Sequence, residues 1–403
     1  MVPGALPGRA EGVALKKALL ALVVLLVVAF CSVPLPARHA STKLPPGVHG
    51  EGALLAGAAQ VRIKLGDHPV LAGYAGSRRA REVQSPVYAR ALALEAGGSR
   101  AYIASIDTLL IPPGFSIPGC GFLAATHTHS GPGGLWDSFA AGFAGAGRFD
   151  QEQFEAVRSA LQQAIDEAGK ALAPATLLIA GDEWRQGPSR PRSEGPIDTG
   201  FLAFRLQGAQ KPIATVIDFA MHPTSAPRDV LSADWPGVAA SKFDEPLLVL
   251  QGAGGNATFD RALNTDQLGT QVAQKAQQLL VKPAASQASL AMDCAQRVVD
   301  LPAPQANRHV PWIFRRAFAN LLALGFAPQA VETHLALGPI TLMGIPGEPV
   351  GELGLRARPR VLVSLSNGYM GYVETEDRWN KSLGESGRTD FGPTLARALD
   401  LAP

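Results

Sequence analysis

Apolar positions along the chain follow two rhythms. Short continuous or alternating runs at residues 102–111, 123–126, 213–220, 247–250, 340–345 and 361–365 have the length and composition of strands. Between them, apolar residues recur at helical spacing. Phe154, Val157, Leu161 and Ile165 share one face, preceded by Asp150, whose carboxylate can cap a helix, with Gln153 in the capping-box position. Leu268, Val272 and Leu279 make a second stripe. Near the C-terminus Val331, Thr333, Leu335 and Leu337 alternate, and Gly338-Pro339 turns the chain back into the 340–345 run, which predicts a hairpin. Strand-like and helical segments in alternation predict an α/β fold of layered mixed β-sheets with flanking helices. Past a Pro/Gly-rich stretch at 45–52 there is no repeat and no second linker, so residues 41–403 read as one domain.

The N-terminus is patterned differently. Lys16-Lys17 is followed by ALLALVVLLVVAFC at residues 18–31 and then by Pro34, Pro36 and Ala37. Basic residues, a short apolar core and a small-residue exit predict a signal peptide. Counted through Ala37 the uncharged run reaches about 20 residues, the length of a membrane span. Residues 1–40 are therefore expected to be a signal peptide or an N-terminal membrane anchor, and the protein to be exported: secreted, periplasmic or anchored. A buried core helix is disfavoured, because the run has no amphipathic stripe. Phe30 ahead of Cys31 argues against lipid attachment there. Cys120 and Cys294 remain, with no CxxC or Cys/His cluster, and their spacing leaves open whether they pair.

Composition narrows the class. With 47% hydrophobic and 17% charged residues, 43 Gly and 32 Pro, the chain is neither disordered nor a coiled coil. The first 40 residues hold four of the 36 basic groups and one of the 34 acidic ones, so the remainder is close to neutral. With no Lys/Arg run there is no footprint for nucleic acid.

Candidate chemistry sits in polar loops that follow the apolar runs: residues 126–134 (THTHSGPGG), 222–225 (HPTS), 347–348 and 367–372 (NGYMGY). His127 and His129 lie two apart, and on an extended backbone they point the same way. Each residue also has a plainer reading: the two histidines as surface groups, His222 as a turn residue, Glu348 as a carboxylate at a helix N-terminus ahead of Pro349, Tyr372 as a half-buried aromatic. Together they fit zinc, which accepts imidazole nitrogen and carboxylate oxygen. A tyrosine serves only if the dication makes its oxygen anionic, since a free phenol has a pKa of about 10.

The order and wording of these segments resemble the neutral/alkaline (non-lysosomal) ceramidase family. The likeness runs from about residue 60 to residue 395. It comprises Gly73-Tyr74-Ala75, THTHSGPGG, an apolar strand ending in His222, a Gly-rich loop after a further strand, Pro346-Gly347-Glu348, Asn367-Gly368-Tyr369 and Gly371-Tyr372-Val373. The resemblance implies a ceramidase-like catalytic domain with one zinc per chain. It implies cleavage of the amide bond of ceramide or a related N-acyl lipid to sphingoid base and fatty acid. It also implies that His127, His222, Glu348 and Tyr372 are the zinc ligands and that His129 lies beside the metal, near the developing oxyanion or the water. A lipid substrate would bring the enzyme to a membrane surface, although no basic amphipathic helix is read in the pattern.

Departures from the family are equally specific. Its members carry a serine in a Gly-Asp-x-Ser-Pro loop; the matching segment here, residues 251–260 (QGAGGNATFD), puts Ala257 at that position. Thr258 is the nearest hydroxyl, reached by a one-residue shift of the loop, and Asn256 can donate to an oxyanion while water attacks. Arg190, in Ser189-Arg190-Pro191, resembles a family site arginine. Gly384 stands where a further family tyrosine would be, and the C-terminal immunoglobulin-like domain of longer members has no counterpart. These losses keep two alternatives open: a zinc hydrolase of another amide or ester, and a non-catalytic lipid-binding relic.

Overall fold

The computed structural model describes residues 42–138, 141–307 and 309–401, together with Val23, residues 30–33 and Leu35. The segment expected to be a leader or anchor lies mostly outside them. No helix among the described residues is long and apolar enough to cross a membrane.

Three five-stranded mixed sheets with flanking helices make up the architecture, as the alternation of runs predicts. The first sheet has the strand order Cys120–Ala125, Ser99–Ile106, Tyr88–Ala96, Leu55–Arg62, Ala173–Pro174. In the second the order is Leu247–Gln251, Pro212–Phe219, Gly200–Gln207, Thr176–Glu183, Ala285–Gln287. Val48–Ala53, Ser289–Asp300, Gln329–Leu337, Ile340–Gly344 and Val361–Val363 form the third. Each sheet is antiparallel except at one edge, where Cys120–Ala125, Leu247–Gln251 and Val361–Val363 run parallel to their neighbours.

These three parallel edges meet. Ser364 N donates to Gln251 O (2.7 Å), Ala125 N to Leu365 O (3.2 Å) and Asn367 N to Leu123 O (2.8 Å). The loops leaving their C-terminal ends are therefore brought to one place, where α/β folds assemble sites.

Apolar faces of all three sheets share a core that includes Leu94, Ile103, Phe122, Phe204, Leu250, Met292, Leu335 and Leu342. The Gln151–Lys170 helix covers the outer face of the first sheet with Val157, Leu161 and Ile165, against Ala89, Ala91 and Ala93. The Thr265–Val281 helix covers the second with Leu268 and Val272, against Phe201, Ile217 and Phe219. Asp150 caps the first helix through Gln153 N (3.2 Å). The Gln153 side chain does not complete a capping box; it crosses to Val70 and Gly133 and clasps the loop after THTH. The reciprocal box occurs instead at Asn264 and Gln267.

All six predicted runs contain strands, and the predicted hairpin pairs Gln329–Leu337 with Ile340–Gly344. The 102–111 run stops at Ile106, because Asp107 turns inward to Arg90. Two further differences have physical causes. Part of the Pro/Gly-rich stretch is the edge strand Val48–Ala53, held by the 12-residue strand Ser289–Asp300. Leu55–Arg62 and Tyr88–Ala96 are alanine-rich strands with little intrinsic β preference, fixed by their partners and by the helix above them. Cys120 and Cys294 form a disulfide between the first and third sheets. An unexpected basic segment with an apolar outer face, the turn Trp312–Phe314 and the helix Arg315–Gly325, stands on the surface.

Candidate metal centre

The parallel edge strand Cys120–Ala125 leads directly into THTH. His127 does not continue it as extended backbone: its φ of +67° lies in the left-handed region, which costs an L-residue roughly 1–2 kcal/mol. The kink is held by His127 N on Thr108 O (2.9 Å) and by the ring Nδ1 on Leu109 O (2.7 Å). It brings the His127 and His129 Nε2 atoms to 3.4 Å, the convergence that an extended HxH pair was expected to supply. His129 Nδ1 donates to Gly73 O (2.8 Å). Gly73 has φ +106°, and a Cβ there would lie 2.5 Å from the His129 backbone, so only glycine permits this approach.

His222 arrives from the second sheet, just beyond Pro212–Phe219, with Nδ1 on Gly254 O (3.0 Å) and Ala257 O (2.9 Å). A carbonyl can only accept, so each of the three Nδ1 atoms carries its hydrogen. Each Nε2 is thereby turned inward, the orientation that metal-binding histidines need. The ligand atoms of His127, His129 and His222 all lie within 4.8 Å of one another.

Glu348 and Tyr372 are side-by-side partners in a two-residue parallel ladder, Glu348–Pro349 with Tyr372–Val373. Pro349 is thus part of a ladder, and the following helix begins at Gly351. Glu348 Oε2 lies 3.1 Å from His127 Nε2 and 3.2 Å from His222 Nε2, and the Tyr372 hydroxyl lies 3.1 Å from His222 Nε2. Tyr369, which the sequence left without a role, donates to Glu348 Oε1 (2.8 Å). Oε2 is buried and makes no hydrogen bond.

Burial pushes His222 down to about 4 and His129 well below the usual imidazole value, so both rings are neutral. For Glu348, burial alone would raise the carboxyl, but the neighbouring His127 and His222 outweigh it and hold it well below the carboxylate range. Burial and the Glu348 charge push the Tyr372 phenol well above 10. The result is a buried, acceptor-rich knot: inward nitrogens, an ionised carboxylate with an unbonded oxygen and a phenol oxygen. A divalent cation would replace the missing donors, and this donor set fits zinc.

A second missed residue is Arg192. Its guanidinium is gripped by the buried Glu385 through two 3.0 Å contacts, approaches His222 Nε2 to 3.3 Å and lies 5.2 Å from the centre of the Tyr372 ring. Burial alone would lower its pKa, but Tyr372 and Glu385 reverse that, so the charge is retained beside the phenol. The knot is buried apart from half-buried His129, whose ring stands edge-on to Tyr74 at 5.5 Å. An apolar crevice lined by Leu109, Leu110, Leu135 and Trp136 adjoins it.

No family model matches the chain, and no curated protein matches it in sequence. Solved structures do. A ceramidase complexed with C2 superimposes with a TM-score of 0.73 at 19% identity, covering 87% of this chain and 74% of that one. The neutral ceramidase from Pseudomonas aeruginosa gives 0.74 at 19% identity, covering 89% and 74%. The chain has the neutral ceramidase fold.

On that fold, His127, His129, His222, Glu348 and Tyr372 come together from loops up to 245 residues apart in sequence, whereas three other candidates do not join them. Arg190 points to the surface, paired with Asp260 (2.7 Å) and bonded to Gly187 O and Ser189 O. The arginine beside the knot is Arg192. Thr258 sits directly opposite Arg190 in a short antiparallel pair and so shares its outward face, with Ala257 on the other. Asn256 is committed to backbone, accepting from Gly351 N (2.8 Å) and donating to Pro196 O (3.1 Å), so its amide is not free for an oxyanion. Gly384 has φ +59°, and a Cβ there would meet Glu374 Oε2 at 2.2 Å, so a tyrosine at this point would need the Glu374 carboxylate to move and a left-handed backbone to be kept.

Proposed function

We propose that the protein is an exported, zinc-dependent amidohydrolase that cleaves the amide bond of ceramide or a related N-acyl lipid to a sphingoid base and a fatty acid. The observation that carries this reading is the unbonded, buried Glu348 Oε2 among inward-facing imidazoles in a neutral ceramidase fold. In this reading His127, His222, Glu348 and Tyr372 hold one zinc ion, and residues 41–403 form one catalytic domain. The Cys120–Cys294 disulfide supports export, because such bonds persist in oxidising compartments.

Bound zinc would supply Lewis-acid polarisation of an amide carbonyl and make water a nucleophile near neutral pH. The chain's own residues do the rest. His129, with Nδ1 occupied by Gly73 O, offers Nε2 to take a proton from the attacking water and return it to the leaving amine. Arg192 keeps a positive charge beside Tyr372 and so favours an anionic phenol oxygen. The apolar crevice of Leu109, Leu110, Leu135 and Trp136 borders the candidate site through Leu109, whose carbonyl orients His127. With Ala257 at the family serine position and Thr258 facing away, water is the nucleophile. The same two residues, with Gly384, favour the second reading, a zinc hydrolase of another amide or ester.

Elemental analysis of the purified chain tests the proposal. About one zinc per chain is expected, with both metal and ceramide hydrolysis lost in His127→Ala/His222→Ala. No bound metal after incubation with zinc, or undiminished hydrolysis by the metal-free double variant, refutes it. A panel of N-acyl and ester substrates on which ceramide ranks low selects the second reading.

A further inference from the structure

The basic segment at residues 312–325 inverts the usual pattern of a surface helix. Its inner side buries Ala319 and Asn320, while the stripe at i, i+4, i+7 that ordinarily packs inward, Phe314, Phe318 and Leu321, is 57%, 39% and 53% exposed. Trp312 (79%) and Ile313 (51%) extend this face through the preceding turn. Contiguous exposed aromatics of this kind mark an interaction surface.

Three observations identify what covers it. The first is charge: residues 301–331 contain Arg308, His309, Arg315 and Arg316 and no Asp or Glu, so the segment that carries the apolar face is itself purely cationic. In an isologous dimer these arginines would meet their own copies; an anionic lipid surface complements them. The second is position. Asn320, on the inner side of the helix, bonds Phe30 O (2.6 Å), Val33 O (2.9 Å) and Leu35 N (3.1 Å), so the chain just after the apolar N-terminal sequence meets the body of the protein on this same helix. The third is its mount: Phe326, at the end of the helix, contacts Trp136 (6.1 Å between ring centroids), a wall of the crevice beside the metal centre.

We infer that the Trp312–Leu321 face docks into the surface of an anionic phospholipid bilayer and holds the crevice beside the candidate metal centre close to it. Tryptophan and phenylalanine enter the headgroup boundary while arginine meets lipid phosphate, the composition of interfacial helices. The benefit of docking rests on the lipid-hydrolase reading, but docking itself needs no turnover and is tested without it.

The test uses the full chain bound to vesicles of phosphatidylcholine, with or without phosphatidylglycerol, carrying brominated acyl chains that quench tryptophan. Because the N-terminal run can itself hold the chain on vesicles, the readout is the location of Trp312, one of five tryptophans, obtained as the difference between wild type and Trp312→Phe. Quenching of the Trp312 emission in anionic vesicles is expected. Phe314→Ser/Phe318→Ser, at exposed positions and with helix content checked by circular dichroism, should reduce it severalfold. Arg316→Gln should weaken the anionic-lipid dependence about fivefold. Trp312 emission that bromolipid does not quench, or quenching unchanged in Phe314→Ser/Phe318→Ser, overturns the proposal. So does shielding of Trp312 that rises with protein concentration and not with lipid, which would make a second copy the occupant. None of these outcomes depends on whether ceramide is hydrolysed.

Discussion

At the scale of single residues, the candidate metal centre depends on how one carboxylate is held. Tyr369 fixes Glu348 Oε1 at 2.8 Å and thereby presents Oε2 to the imidazoles. Tyr369→Phe keeps the ring and its packing but releases the carboxylate to rotate. Outer-shell losses of this kind weaken metal binding by roughly 10–100-fold. Chelator-competition titration of the folded variant should read that range; unchanged affinity would mean Tyr369 does not position Glu348. Tyr369 lies in the NGYMGY segment, but Arg192 was illegible in the sequence because its contacts are long-range. His127, His222, Glu348 and Tyr372 each stand in a short polar segment just after an apolar run, a local signal. Arg192 is held by Glu385, 193 residues later, and Arg190, two positions earlier, carries an equally plausible side chain turned to solvent. The left-handed His127 was hidden too, since nothing in THTH announces a positive φ at a non-glycine residue.

Among elements, the strand Tyr88–Ala96 and the turn after Ser99–Ile106 are joined by one buried ion pair. Arg90, 3% exposed, meets both oxygens of the fully buried Asp107 at 2.9 and 3.0 Å, and Asp107 also accepts from Tyr88 N (2.8 Å). The next two residues, Thr108 and Leu109, supply the carbonyls that kink and orient His127. Asp107→Ala would strand a buried guanidinium without its counter-charge, a loss of about 3–5 kcal/mol. Arg90→Met/Asp107→Leu removes both charges and should recover much of it. Denaturant midpoints of the two variants check this: equal losses would show that the cost lies in packing around Asp107 and not in the stranded charge. This pair also explains the uneven legibility of the elements. Runs of Val, Ile and Leu declared their strands, whereas LAGAAQVR and YARALALEA, read alone, suit a helix as well as a strand. What makes them strands is eight-residue pairing between them and the helix Gln151–Lys170 laid across their small side chains.

For the molecule as a whole, three sheets are kept in register so that their parallel edges deliver the candidate ligands to one point. Short hydrogen bonds stitch those edges near the site, and the Cys120–Cys294 disulfide ties the first sheet to the third at the opposite end of the Cys120–Ala125 strand. Its two cysteines are 174 residues apart, so reducing it frees a long loop in the unfolded chain. By chain entropy such a bond belongs at the upper end of the usual range, about 2–5 kcal/mol. The native site should be far less affected: Cys120–Ala125 remains paired along its length with Ser99–Ile106, and His127 is held by Thr108 and Leu109 rather than by the sulfur bridge. Cys120→Ala/Cys294→Ala is therefore expected to lose several kcal/mol in equilibrium denaturation while binding zinc with unchanged stoichiometry under native conditions. Loss of zinc at temperatures where the variant is still folded would place the bridge in the metal centre's own architecture. A stability loss below about 1 kcal/mol would mean the unfolded chain retains the contact between these sheets without it.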